Sequence, residues 1–87
     1  MKLNPKFLTH ETRGQHYMIS TSGTEFNGIV KNNETAAFII GCLKTDTTEE
    51  AIADRLLAEY EGADRAEVTR DVSGVIAKLR SIGAIEE

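Results

Sequence analysis

Asn27-Gly28-Ile29-Val30-Lys31-Asn32-Asn33-Glu34-Thr35-Ala36-Ala37 is where this chain changes character. Before it, the residues read with a period of two. After it, they read with a period near 3.6. Phe26 to Lys31, with the adjacent pair Ile29-Val30, predicts a strand. Gly28 within it suggests a bulge or a close backbone approach. Asn33 then has the chemistry of a helix N-cap, since its side-chain oxygen can accept one of the first helical N–H groups.

Working back toward the N-terminus, Gln15-His16-Tyr17-Met18-Ile19-Ser20-Thr21 is rich in β-branched and aromatic residues. It places Tyr17, Ile19 and Thr21 on one face and His16, Met18 and Ser20 on the other. Ser22-Gly23 supplies a turn, so this strand and Phe26 to Lys31 make an antiparallel hairpin. Phe7 to Arg13 predicts a further strand broken at Gly14. Pro5 fits a strand start or edge, where a missing N–H costs nothing.

Working forward, Ala36, Ala37, Phe38, Ile39, Ile40 and Leu43 lie nearly all round one helix, which is therefore expected to be central. Thr47 and Glu50 form a capping box for a second helix carrying Ile52, Leu56, Leu57 and Tyr60, with Gly62 as its stop. Asp64 and Glu67 repeat that logic for a third. There Val68, Val72, Val75, Ile76, Leu79 and Ile82 fall within about 120° of the wheel at ~100° per residue. Gly83 ends it, and Ile85 follows as an apolar tail. Three strands followed by three helices predict a winged-helix-like α+β fold, a three-stranded antiparallel sheet with helices on one face, as one domain over 1–87.

The chain has 87 residues, 40% hydrophobic and 28% charged, which fits a globular protein with a small core. No run is apolar and long enough to span a membrane, and Met1 to Pro5 lacks the apolar stretch of a secretory signal. These features favour the cytoplasm. Cys42 is the single cysteine, so neither an intrachain disulfide nor a multi-cysteine zinc site is possible. His10 and His16 are the two histidines, too few with Cys42 to suggest a metal centre. No phosphate-binding glycine loop or nucleophile elbow is present. An enzyme is not expected, and no cofactor.

Net charge is −4, with a pI near 5.1. Residues 1–33 carry Lys2, Lys6, Arg13 and Lys31 against Glu11 and Glu25, and the remaining twelve acidic and six basic residues leave 34–87 at −6. An acidic helical half argues against nucleic-acid binding. The alternative reading, a winged-helix DNA-binding regulator, would need the third helix to face phosphates. Its Arg65, Arg70, Lys78 and Arg80 are offset by Asp64, Glu67 and Asp71.

The sheet edge carries more information. The strand from Phe7 has Pro5, Lys6 and Arg13 as edge protection. Phe26 to Lys31 has no proline and one cation. As an edge it can accept an extended peptide by β-augmentation, or pair with its own copy in a homodimer. Gly74 is the odd residue of the third helix, where it costs on the order of 1 kcal/mol relative to alanine. The wheel sets it near Arg70, Lys78 and Ser81, away from much of the apolar stripe.

The junction quoted above resembles that of the coenzyme PQQ synthesis protein D (PqqD) family, which typically reads Leu-Asn-x-x-Ala there. Asn32 stands at the family's leucine, and Ile39-Ile40 where a tryptophan is often found. Thr47-Thr48-Glu49-Glu50-Ala51-Ile52 is similar to the family's second-helix start. Val68, Asp71-Val72, Leu79, Gly83 and Ile85 resemble its closing pattern. The resemblance runs through essentially the whole chain.

The resemblance implies a non-catalytic recognition element for ribosomally made precursor peptides, whether in PQQ biosynthesis or another pathway. It implies two partners: the precursor's leader segment and a modifying enzyme of the radical S-adenosylmethionine class. Neither nucleic acid nor membrane is implied. The leader would add beside Phe26, Asn27, Gly28, Ile29, Val30 and Lys31. The third helix would wall the groove with Val68, Thr69, Asp71, Val72, Val75, Ile76 and Leu79. The wheel puts Thr69, Val72 and Ile76 toward one flank and Asp71 and Lys78 toward the other, without separating groove from core.

Overall fold

The computed structural model describes residues 1–20 and 29–87. Its elements in chain order are β1 (Lys2–Leu3), β2 (Phe7–Thr12), β3 (Gln15–Ser20), β4 (Ile29–Asn32), α1 (Glu34–Cys42), α2 (Glu49–Glu59), α3 (Arg65–Ser81) and β5 (Ile85–Glu86). The expected mixed α+β class holds: a three-stranded antiparallel sheet in the order β2-β3-β4, followed by three helices. The turn expected at Ser22-Gly23, the bulge at Gly28 and the strand residues Phe26 and Asn27 lie outside the described residues.

β2 and β3 are joined by two residues, because Thr12 pairs with Gln15. Arg13 and Gly14 both take positive φ, 52° and 75°. That combination matches the right-handed twist of the flanking strands, and Gly14 adopts it without the steric cost a Cβ brings. Met18, on the central strand, pairs with Thr9 on one side and Val30 on the other. Met18 and Phe7 are buried and Val30 half-buried, while the row Leu8, Ile19 and Ile29 faces solvent. The sheet therefore has one core face, as period-two alternation requires.

Asn32 ends β4 opposite His16, and Asn33 turns the chain into a helix. Asn33 keeps an extended backbone while its Oδ1 accepts a 2.7 Å hydrogen bond from the Ala36 N–H. α1 is the centre of the core: Ile39, Ile40, Cys42 and Leu43 are all buried. It packs against β3, β4, α2 and α3. From α2 come Ile52, Ala53 and Leu56, and from α3 Val68, Val72, Ile76 and Leu79. Phe38 and Tyr60 meet edge to face, ring centroids 5.9 Å apart. Asp64 caps α3 by accepting from the Glu67 N–H at 3.2 Å.

Two features differ from the sequence expectation. The cap of α2 is Thr48, not Thr47: Thr48 Oγ1 accepts from the Ala51 N–H at 3.1 Å. Thr47 is held elsewhere. Its N–H donates to the Met1 carbonyl at 2.8 Å, and its own carbonyl accepts from the N-terminal ammonium at 3.0 Å. The helix thus begins one residue later. The tail around Ile85 is not loose either. It pairs antiparallel with β1, Leu3 opposite Ile85 and Lys2 opposite Glu86. Leu3 N–H also donates to Leu43 O, Asn4 N–H to Ala84 O and Asn4 Nδ2 to Gly83 O, so this clasp seals the core beneath α1 and α3.

Two stability predictions follow from these contacts. Ile39→Ala removes a fully buried side chain at the meeting point of the layers and is expected to cost about 2–5 kcal/mol. Asn33→Ala unmakes the α1 cap and is expected to cost about 1 kcal/mol. Urea denaturation followed by circular dichroism measures both.

Candidate peptide-binding edge and groove

β4 is paired to β3 alone among the described strands, so its other side is a sheet edge. An edge strand directs alternate backbone N–H and C=O groups away from its neighbour. Ile29 and Lys31 are exposed, Ile29 at 66%, while Val30 and Asn32 are half-buried. Next to the end of this strand lies a groove of about 300 Å³, lined by Asn33, Thr35 and Ala36 from the start of α1 and by Arg70, Asp71, Gly74, Val75 and Lys78 from α3. A second hollow, lined by Gly14, Gln15, His16, Lys31, Asn32 and Glu34, shares Asn33 with this groove and reaches the end of β4.

The two faces of α3, inseparable on a helical wheel, are separated by the packing. Val68, Val72, Ile76 and Leu79 are buried in the core. They hold α3 in place, and none of them, Val72 and Ile76 included, is among the residues lining the groove. Thr69 is exposed, but it is not among the groove residues. It lies on the flank of α3 that turns toward α2, where Ser73 Oγ donates to Glu49 Oε1 at 2.8 Å. Of the expected α3 residues, Asp71 and half-buried Val75 line the groove. Arg70, Gly74 and Lys78 line it as well, with Asn33, Thr35 and Ala36. The signal for Gly74 was in the sequence, as a helix-interior glycine away from the apolar stripe. The α1 residues gave none, because their position depends on how α1 crosses α3.

Electrostatics distinguishes the cations of α3. Arg65 Nη2 is 2.6 Å from Asp54, and Arg80 Nε is 2.8 Å from Glu87. The Arg80 hydrogen bond, aided by its charge, holds the Glu87 carboxyl below the usual range. Arg70 and Lys78, the two cations in the groove, make no ion pair among the described residues.

Another hollow, of about 510 Å³, lies elsewhere, between the sheet and α1, and holds His10, His16, Glu11 and Tyr60 in its walls. His16 Nδ1 is 3.5 Å from Glu11. Among the described residues no three His, Cys, Asp or Glu side chains gather closely enough to hold a metal ion. Burial pushes the Cys42 thiol up, against a smaller opposing influence of Arg55, so the sulfur stays protonated and unreactive at neutral pH. Among the described residues no helix is long and apolar enough to cross a membrane.

The family model for coenzyme PQQ synthesis protein D (PqqD) matches residues 8–85. This chain belongs to the PqqD family. Two solved structures share the fold of this PqqD-family chain. TbiB1 in complex with the TbiA(beta) leader peptide superposes with a TM-score of 0.81 at 20% sequence identity, over 99% of this chain and 95% of that one. A lasso peptide synthetase B1 complexed with the leader peptide gives 0.78 at 22% identity, over 99% and 96%. No curated protein matches the sequence.

A Cβ built on Gly74 meets nothing within 4 Å. Gly74→Ala therefore gains helix propensity without a clash, and is expected to stabilise the free protein by roughly 0.5–1 kcal/mol in a urea titration.

Proposed function

We propose that this chain binds the leader segment of a ribosomally made precursor peptide and presents the rest of that peptide to a modifying enzyme, without itself catalysing the reaction. The observation that supports this is the conjunction on β4: a strand edge without a partner strand among the described residues, beside a groove whose far wall is α3. Family membership supports it independently, as do the two structural neighbours, each of which is complexed with a leader peptide. An extended leader adds as a strand next to Ile29, Val30 and Lys31, and through the preceding Phe26, Asn27 and Gly28. Main-chain hydrogen bonds hold it, while side chains on its helix-facing side enter the groove at Asp71 and Val75.

The service rendered to the enzyme is concentration. A leader held with roughly nM to μM affinity, limited by the cost of ordering a flexible segment, keeps the core peptide at an effective concentration of about mM near an enzyme that binds the same carrier. A radical S-adenosylmethionine enzyme is the partner class we favour, acting in the cytoplasm. The DNA-binding alternative gains little from α3, where Arg65 and Arg80 are already committed to carboxylates of the same chain.

The test is an NMR titration of the labelled protein with synthetic precursor leader peptides. Chemical-shift changes are expected at Ile29–Asn32 and on the Asp71–Val75 face of α3. Changes confined to β2 or to the Thr69–Ser73 flank would contradict the mode. Because each main-chain hydrogen bond is worth about 1 kcal/mol net, N-methylating one leader amide that faces β4 is expected to weaken binding about fivefold, read by fluorescence anisotropy. Methylation of the next amide, which points away, is expected to leave affinity unchanged.

A further inference from the structure

The four cations of α3 divide into two pairs with different fates. Arg65 and Arg80, near the helix ends, are neutralised by Asp54 and Glu87. Arg70 and Lys78 make no ion pair among the described residues, and both line the groove. Gly74 stands midway between them in sequence. Arg70, Gly74 and Lys78 are each one turn apart, so they form one row along the helix. The space above Gly74 is open, and half-buried Val75 borders it. The row is thus a notch with a cation at either end. Asp71 is the one carboxylate in the lining, on the turn that also carries Arg70, so the field is most positive at the Lys78 end.

Resting on the peptide-binding reading above, we infer that the segment this groove takes is acidic: an extended peptide with one carboxylate toward Arg70, a second four residues along toward Lys78, and a bulky apolar side chain between them over Gly74. The spacing comes from elementary geometry. Eight helical residues separate the two cations by about 12 Å along the axis. An extended chain running along the helix covers that distance in about four residues at ~3.3 Å each. Positions i, i+2 and i+4 of a strand share one face. The two carboxylates and the residue between them therefore all turn toward α3, while the peptide's backbone remains free to pair with β4. Asp71 weakens the Arg70 end, so a segment with a single carboxylate keeps the one toward Lys78.

The probe is a displayed library of random 12-residue peptides selected on the full chain, followed by anisotropy with a synthetic consensus peptide. Asp or Glu is expected at i and i+4, with a large apolar residue at i+2. Lys78→Glu and Arg70→Glu are each expected to cost at least tenfold in affinity, Lys78→Glu the more. Because both residues are exposed, circular dichroism of these variants should be unchanged. A peptide with the i+4 carboxylate replaced by lysine should regain affinity for Lys78→Glu and lose it for the parent chain. Gly74→Leu, which fills the notch, should weaken the consensus peptide while leaving the helix intact. Selected peptides that shift the Ile29–Asn32 and Val75 resonances yet show no acidic enrichment would overturn this inference and leave the peptide-binding reading standing, as would a Lys78→Glu effect below about twofold. Failure to select any peptide, or resonance shifts away from β4 and α3, would overturn both.

Discussion

A β-strand paired on one side keeps half of its backbone hydrogen-bonding groups pointed outward, and nothing in the strand's own chemistry removes that demand. β4 is in this position, and the remainder of the fold is arranged around it. The Arg13-Gly14 turn fixes β2 on β3, which leaves β4 the other edge. Asn33 turns the chain away immediately after β4, so that α1 runs beneath the sheet instead of extending the strand. α1 in turn packs against α3 and sets it across from the strand end at the width of a groove. Moving any of these parts would either cover the edge or deprive it of its wall.

Little apolar surface is available to hold this arrangement. Fourteen residues make up the buried core of the described chain, and α1 alone contributes Ile39, Ile40 and Cys42, with Leu43 at its C-terminal cap. A short helix of such low amphipathic contrast is marginal in isolation. It is stable because α2, α3 and the sheet each bury a side of it. Conversely, the Val68, Val72, Ile76 and Leu79 stripe is spent on the core, which leaves the adjacent face of α3 to line the groove. One helix thus serves two purposes without the two sets of residues overlapping.

The elements that repeat a period over several residues were legible in the sequence. Gln15–Ser20 alternates, α3 carries an apolar stripe through 17 residues, and Asn33 and Asp64 cap the helices to which their sequence neighbours assign them. What was not legible depends on distant contacts. β1 and β5 have two residues each, too few to show any alternation, and they exist because Leu3 and Ile85 meet across the whole chain. The shift of the α2 cap from Thr47 to Thr48 is decided by Met1, 46 residues away. The division of α3 into a core face and a groove face could not be read from a wheel on which Val72, Val75 and Ile76 fall within one arc. It follows from where α1 and α2 lie. Gly74 was visible as an anomaly, and its meaning came with its position between Arg70 and Lys78.

The β1–β5 clasp also brings the first and last strands of the fold together, since Lys2 and Glu86 are direct cross-strand neighbours. Entry and exit of the backbone therefore coincide at one spot, while β4 and the outer face of α3 are built from other segments. A polypeptide with that geometry can be spliced into a loop of a larger host, or permuted by tying its ends and reopening it elsewhere, with little distortion of its interior. The fold is, in this sense, portable: it needs only a single point of attachment.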